Sequence, residues 1–298
     1  MADSTNAAQA ETVSSGLEGL SPPPLTRRGF VMTSLIAGFT LATTRVEAQA
    51  ISTSAEGLVA GEVKIPVSGG ELPAYRAMPE GAGPFPIVLV VEEIFGVHEY
   101  IKDTCRRLAK VGYCAVAPEV YARLGDLTKM TDIQEILKKV IFKAPDATLV
   151  ADLDATAAWA AGQSKGDAAR LGITGFCRGG RAVWLYAAHN PALKAAVAWY
   201  GPLGGERTDI QPKTAADVAA DIKAPVLGLY GGADNGIPVA DVEKQRDTAK
   251  AAGKTVEIKI YPDTPHAFHA DYRPSYRKEA AEDGWQRMLA WFKQYGVV

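Results

Sequence analysis

The chain has 298 residues, 47% of them apolar, which is enough material for one sizeable core. With 32 Lys+Arg against 34 Asp+Glu, no long-range field would gather nucleic acid or an anionic membrane, so a small molecule is the expected partner. Cys105, Cys114 and Cys177 are too few for a disulfide framework and lack C-x-x-C spacing, so neither a redox nor a zinc motif is present, and no metal or cofactor is expected.

The first fifty residues read as a leader. A polar, Pro-rich stretch ends at Thr26-Arg27-Arg28-Gly29-Phe30. An apolar run follows from Val31 to Ala42, and small-residue sites stand at Val46-Glu47-Ala48 and Ala48-Gln49-Ala50. This is the layout of an export signal, and the run falls short of the roughly 20 residues that span a bilayer. The Arg-Arg pair points to the twin-arginine route. The expectation is a periplasmic or secreted protein beginning near Ile51. Residues 51–298 would form one catalytic domain, monomeric and free of membrane once the leader is removed.

From Leu58 onward short apolar runs alternate with helical patterns, which predicts an α/β fold with a mostly parallel sheet covered on both faces. Val59–Val67 and Leu72–Met78 flank Gly69-Gly70 and predict an antiparallel hairpin at one sheet edge. Core strands are expected at Ile87–Val91, Cys114–Ala117, Arg170–Thr174, Ala195–Trp199, Val226–Tyr230 and Val256–Ile260. Helices are expected at Tyr100–Val111, Ala147–Ala161, Arg178–Ala188, Ala240–Ala252 and Tyr276–Tyr295. In the last of these, Trp285, Leu289 and Phe292 at i, i+4, i+7 spacing predict the buried face. Tyr121 to Pro145 and Gly201 to Asp221 fit the alternation poorly and are expected to cap the site.

The strongest chemical signal is Gly175-Phe176-Cys177-Arg178-Gly179-Gly180, between a predicted strand and a predicted helix. It is the G-x-S-x-G nucleophile elbow with cysteine in the serine position. Glycines flank the centre because the strand-to-helix turn is too tight for neighbouring side chains, and the strain exposes the nucleophile. The helix N-terminus that follows favours a thiolate and can hold an oxyanion. A thiol needs a base. His189 closes a helix and suits its dipole; His98 precedes the nucleophile. His266, in the loop after the last predicted strand, is where the elbow fold places its base, with His269 as the alternative. The acid falls between nucleophile and base in this chain order. Asp234, at the carboxyl end of Val226–Tyr230, is the candidate, or else an Asx-turn residue.

With these residues in place the chain resembles the dienelactone hydrolase family, whose members are cysteine-bearing α/β-hydrolases. Four blocks carry the resemblance: Glu92-Glu93-Ile94-Phe95-Gly96-Val97, Ala117-Pro118-Glu119-Val120-Tyr121-Ala122-Arg123, Gly175 to Gly180, and Pro265-His266-Ala267-Phe268. The resemblance implies an α/β-hydrolase fold and a triad of Cys177, Asp234 and His266. It implies that Glu93 contacts the resting thiol and helps switch it to thiolate when substrate arrives. The backbone N–H groups of Ile94 and Arg178 would form the oxyanion hole, and Phe95, Tyr121, Arg123 and Phe268 are the expected substrate contacts. The chain departs from the family at Ala270, where a second carboxylate-binding arginine is implied; Arg273, three residues on, is the candidate replacement.

The expected reaction is therefore hydrolysis of an ester or lactone, like that of a carboxymethylenebutenolidase, through a Cys-His-Asp triad. The same triad could serve an acyltransferase or a thioesterase. A binding protein on a hydrolase scaffold is the rival from another class.

Overall fold

The computed structural model describes residues 51–298, so the leader and its twin-arginine pair lie outside the described residues. Eight strands form one sheet: β1 (Leu58–Val67), β2 (Gly70–Pro79), β3 (Phe85–Val91), β4 (Cys114–Pro118), β5 (Gly166–Phe176), β6 (Ala195–Trp199), β7 (Val226–Gly231) and β8 (Val256–Tyr261). Their spatial order is β1-β2-β4-β3-β5-β6-β7-β8, with β1, β2 and β4 paired antiparallel and the rest parallel. The predicted hairpin is the β1–β2 pair, closed by Ser68-Gly69 with Val67 opposite Gly70.

Burial follows position. The central strands β4, β6 and β7 are buried at every residue, as strands covered on both faces must be, whereas edge strand β1 alternates. Five helices cover the sheet: α1 (Glu99–Lys110), α2 (Asp146–Gln163), α3 (Arg178–His189), α4 (Val239–Ala251) and α5 (Lys278–Gln294). In α5 the buried stripe is Ala281, Gly284, Met288 and Phe292, while Trp285 and Leu289 are only partly buried. The helix is rotated from the expected face because Gly284 lies against the Trp199 ring, where a Cβ would stand 2.6 Å from it. A helix approaches the sheet at its smallest residue, and the periodicity of large side chains does not report that.

The chain runs from β3 to β4 on one side and then returns to β5 on the other side of β3. This reversal opens a crevice at the carboxyl ends of β3 and β5, the place where open α/β sheets bind ligands. Glu93 follows β3 and Cys177 follows β5, so both candidate groups emerge at that crevice.

Candidate active site

Cys177 sits between β5 and α3 with φ of 53° and ψ of −116°, a conformation that L residues adopt only under constraint. The constraint is the closeness of the turn. A Cβ on Gly179 would stand 2.3 Å from the Val91 carbonyl oxygen, and one on Gly175 would stand 2.5 Å from the Gly179 carbonyl oxygen. Only glycine permits that approach, so the Gly-x-Cys-x-Gly spacing is a packing requirement. Tyr200 and Ala267 also have positive φ, at 37° and 58°. These three follow carboxyl ends of strands or adjoin His266, whereas a fourth, Lys165, stands before β5, away from the elbow.

His266 Nδ1 lies 2.6 Å from Asp234 Oδ2, and the other side of the ring faces the Cys177 sulfur. Asp234 is held in turn by the Gly236 N–H, which donates to Oδ1 at 2.9 Å. Burial alone would depress the imidazole, but the Asp234 carboxylate and then Cys177 outweigh it and hold His266 well above its ordinary range. Tyr200 packs edge-on against this ring at 5.1 Å. Structure thus brings together Cys177, His266 and Asp234. It sets His269 elsewhere: that ring is buried, bonded to Tyr100 Oη at 2.6 Å, and pushed down to about 3 by burial and by the Arg107 charge. His189 pairs with Asp154 at the end of α3, far along the helix from the elbow.

Glu93 is fully buried, and its partners differ from the one the resemblance implies. Tyr272 Oη donates to Oε2 at 2.8 Å and Arg273 Nη2 at 3.1 Å, with His98 at 3.8 Å. Among the described residues no hydrogen bond joins Glu93 to the Cys177 thiol. Burial would raise this carboxyl, yet Arg273, His98 and Tyr272 together hold it down at about 2. Tyr272 was not singled out from sequence; its position six residues after His266, beside Arg273, was the available signal. The N–H groups of Ile94 and Arg178 donate no hydrogen bond among the described residues, as an oxyanion hole requires.

Of the four expected substrate contacts, Phe95 lines a cavity. That cavity, about 240 Å³, lies between Phe95, His98, Leu127, Met130, Tyr272 and Arg273. The Arg123 guanidinium is forked onto the Asp152 carboxylate of α2, at 2.9 Å through Nη2. The Phe268 ring is fully buried among Trp199, Tyr200 and Tyr261. Tyr121 is buried against Arg178 rather than exposed to the cavity. Leu127 and Met130 of the first irregular segment line this cavity. Gln211 Nε2 donates to the carbonyls of Ile141 and Ala144 while its Oε1 accepts from Arg178, tying both segments to the start of α3.

Residues 72–296 match the dienelactone hydrolase family. The chain belongs to that family. Membership makes it a lactone and ester hydrolase of the α/β-hydrolase fold. It is 62% identical over 275 residues to a protein of Methylorubrum extorquens named "Putative carboxymethylenebutenolidase", covering 92% of this chain and 94% of that one. A protein of the same name from Escherichia coli K12 is 54% identical over 261 residues, covering 87% and 96%. Among solved structures, the "Putative Dienelactone Hydrolase" of Klebsiella pneumoniae superposes with a TM-score of 0.78 at 58% identity, over 80% of this chain and 99% of that one.

Proposed function

We propose that this dienelactone hydrolase family member cleaves small esters and lactones by a covalent cysteine mechanism. Cys177 gives its proton to His266, and the sulfur attacks the substrate carbonyl. The Ile94 and Arg178 N–H groups receive the tetrahedral oxyanion. Collapse expels the alkoxide, which takes the proton from His266. Water, deprotonated by the same imidazole, then attacks the thioester and releases the acid. Asp234 holds the ring in one tautomer and stabilises its cationic form.

The observation that carries this reading is the His266 ring set between the Asp234 carboxylate and the Cys177 sulfur. The relatives' name, carboxymethylenebutenolidase, points to lactones as the substrate class. The test is hydrolysis of p-nitrophenyl acetate and of simple lactones. Cys177→Ala loses both activities while keeping the wild-type melting temperature, and full turnover in that variant would exclude the mechanism.

The leader supports export by the twin-arginine route. The match to the Methylorubrum relative spans 92% of the chain and therefore extends into the first fifty residues. Replacing Arg27 and Arg28 by lysine should leave the protein in the cytoplasmic fraction of a bacterial host.

A further inference from the structure

The loop that carries the Ile94 donor is held by a side chain from a neighbouring strand. β3 ends at Val91 and α1 begins at Glu99, and Glu93, Ile94 and Phe95 lie on the stretch between them. The Ile94 N–H donates no hydrogen bond among the described residues. The buried Val97 N–H, by contrast, donates to Glu119 Oε1 at 3.0 Å. Glu119 stands directly after β4, the neighbour of β3 in the sheet. Its own main chain is fixed on both sides: its N–H donates to the Pro73 carbonyl of β2 at 2.8 Å, and its carbonyl accepts from the Ala122 N–H at 2.9 Å. The carboxylate is therefore presented from a rigid frame. Its second oxygen closes on the same loop. Gly96 has φ of +78°, and a Cβ there would stand 3.2 Å from Glu119 Oε2 and 2.9 Å from Thr128 Cγ2. The loop is thus seated between Glu119 and the short turn at Leu127–Lys129, a fit that glycine allows.

We propose that Glu119 is a positioning residue for the oxyanion hole: by accepting the Val97 N–H it fixes this loop, and with it the direction of the Ile94 N–H. It touches no reacting atom itself. An oxyanion donor must stand within about 2.7–3.1 Å of the place where the charge develops, and a misplacement of about 1 Å can cost on the order of 100-fold in rate. Without the Glu119 carboxylate the Val97 N–H is buried and unpaired, so the loop gains by shifting it toward another acceptor. The Ile94 N–H then moves with it. This inference rests on the covalent cysteine mechanism proposed above.

Two reactions of the same thiol separate positioning from general damage. Acylation by p-nitrophenyl acetate builds an oxyanion, whereas alkylation by iodoacetamide displaces iodide at a saturated carbon and builds none. Both need the Cys177 thiolate. Glu119→Ala should slow the p-nitrophenol burst by about 10–100-fold and leave the alkylation rate of Cys177 at its wild-type value. Glu119→Gln keeps an acceptor oxygen and should stay near wild type in both reactions. An unchanged burst in Glu119→Ala, a parallel fall in both reactions, or a Gln variant as slow as the Ala variant overturns the positioning role. If Glu119→Ala does not fold, Glu119→Asp takes its place, because it keeps the carboxylate but withdraws it by one methylene; the same slowed burst with normal alkylation supports the role, and a wild-type burst or a parallel fall overturns it. Mass analysis of the wild-type protein judges the underlying reading separately. An acetyl group on Cys177 after the burst supports covalent catalysis, and its absence overturns that mechanism together with the oxyanion role built on it.

Discussion

Arg273 lies 3.1 Å from the Glu93 carboxylate and within electrostatic reach of the Cys177 sulfur, so one buried guanidinium faces both the carboxylate and the thiol. Both members of the pair are withdrawn from solvent, at 2% and 0% side-chain exposure. Removing Arg273 leaves a buried Glu93 carboxylate with only Tyr272 and His98 beside it. Arg273→Met should therefore cost about 3–5 kcal/mol in denaturant unfolding, more than the pair itself is worth against a hydrophobic replacement. The pH dependence has a defined sign. Glu93 is depressed from 4.5 to about 2, so its contribution is present above pH 4.5 and is lost as pH falls toward 2. Wild type should lose stability in that acid window, and Glu93→Gln should be less sensitive there.

The same arrangement decides how the thiol is guarded. If Glu93 shielded Cys177 directly, its removal would raise alkylation whatever else was present. In this structure Glu93 acts through Arg273, which it neutralises. Glu93→Gln should raise the iodoacetamide rate of Cys177 by leaving an uncompensated cation beside the sulfur. Arg273→Gln should lower it, and the double variant should return near wild type. A double variant as fast as Glu93→Gln would restore direct shielding.

Much of this was readable in advance, and the failures have physical causes. The meeting of Cys177, His266 and Asp234 was legible because each stands in a local pattern at the end of an apolar strand: Gly175-Phe176-Cys177-Arg178-Gly179 after β5, His266 after β8 and Asp234 after β7. The partners of Glu93 were not, since Tyr272 and Arg273 come from a loop more than 170 residues away and leave no periodic trace. Arg123 hid its partner for a different reason. Its place in a family block is local, but its Asp152 partner lies on a helix whose facing residues the sequence does not display.

That partner changes the expected role of Arg123. The guanidinium is 36% exposed but Asp152 only 3%, so losing the cation strands a buried carboxylate. Arg123→Met should lower the melting temperature measurably. It should leave KM unchanged for a lactone bearing a carboxylate, measured against the methyl ester of the same lactone. A selective rise in KM for the carboxylate form would show that Arg123 leaves Asp152 to bind substrate.

Glu92 offers a contrast to its neighbour. It is fully buried at the end of β3, faces Glu119, and has no cation beside it among the described residues. Burial first, and then the Glu119 charge, raises its carboxyl well above 4.5. The folded state therefore keeps a proton that the unfolded chain releases, so stability is full below pH 4.5 and falls as pH rises through the folded value. Glu92→Gln preserves the shape of the protonated acid and its ability to donate to Glu119, without the ionisation. Wild type and variant should melt together at pH 4. At pH 8 the variant should melt higher by at least about 2 °C, as relief of roughly 1 kcal/mol would give in a domain of this size. Because Glu92 adjoins Glu93 and Ile94, the same substitution should flatten any alkaline decline in ester hydrolysis. Identical melting curves at both pH values would mean that Glu92 holds no proton in the folded enzyme.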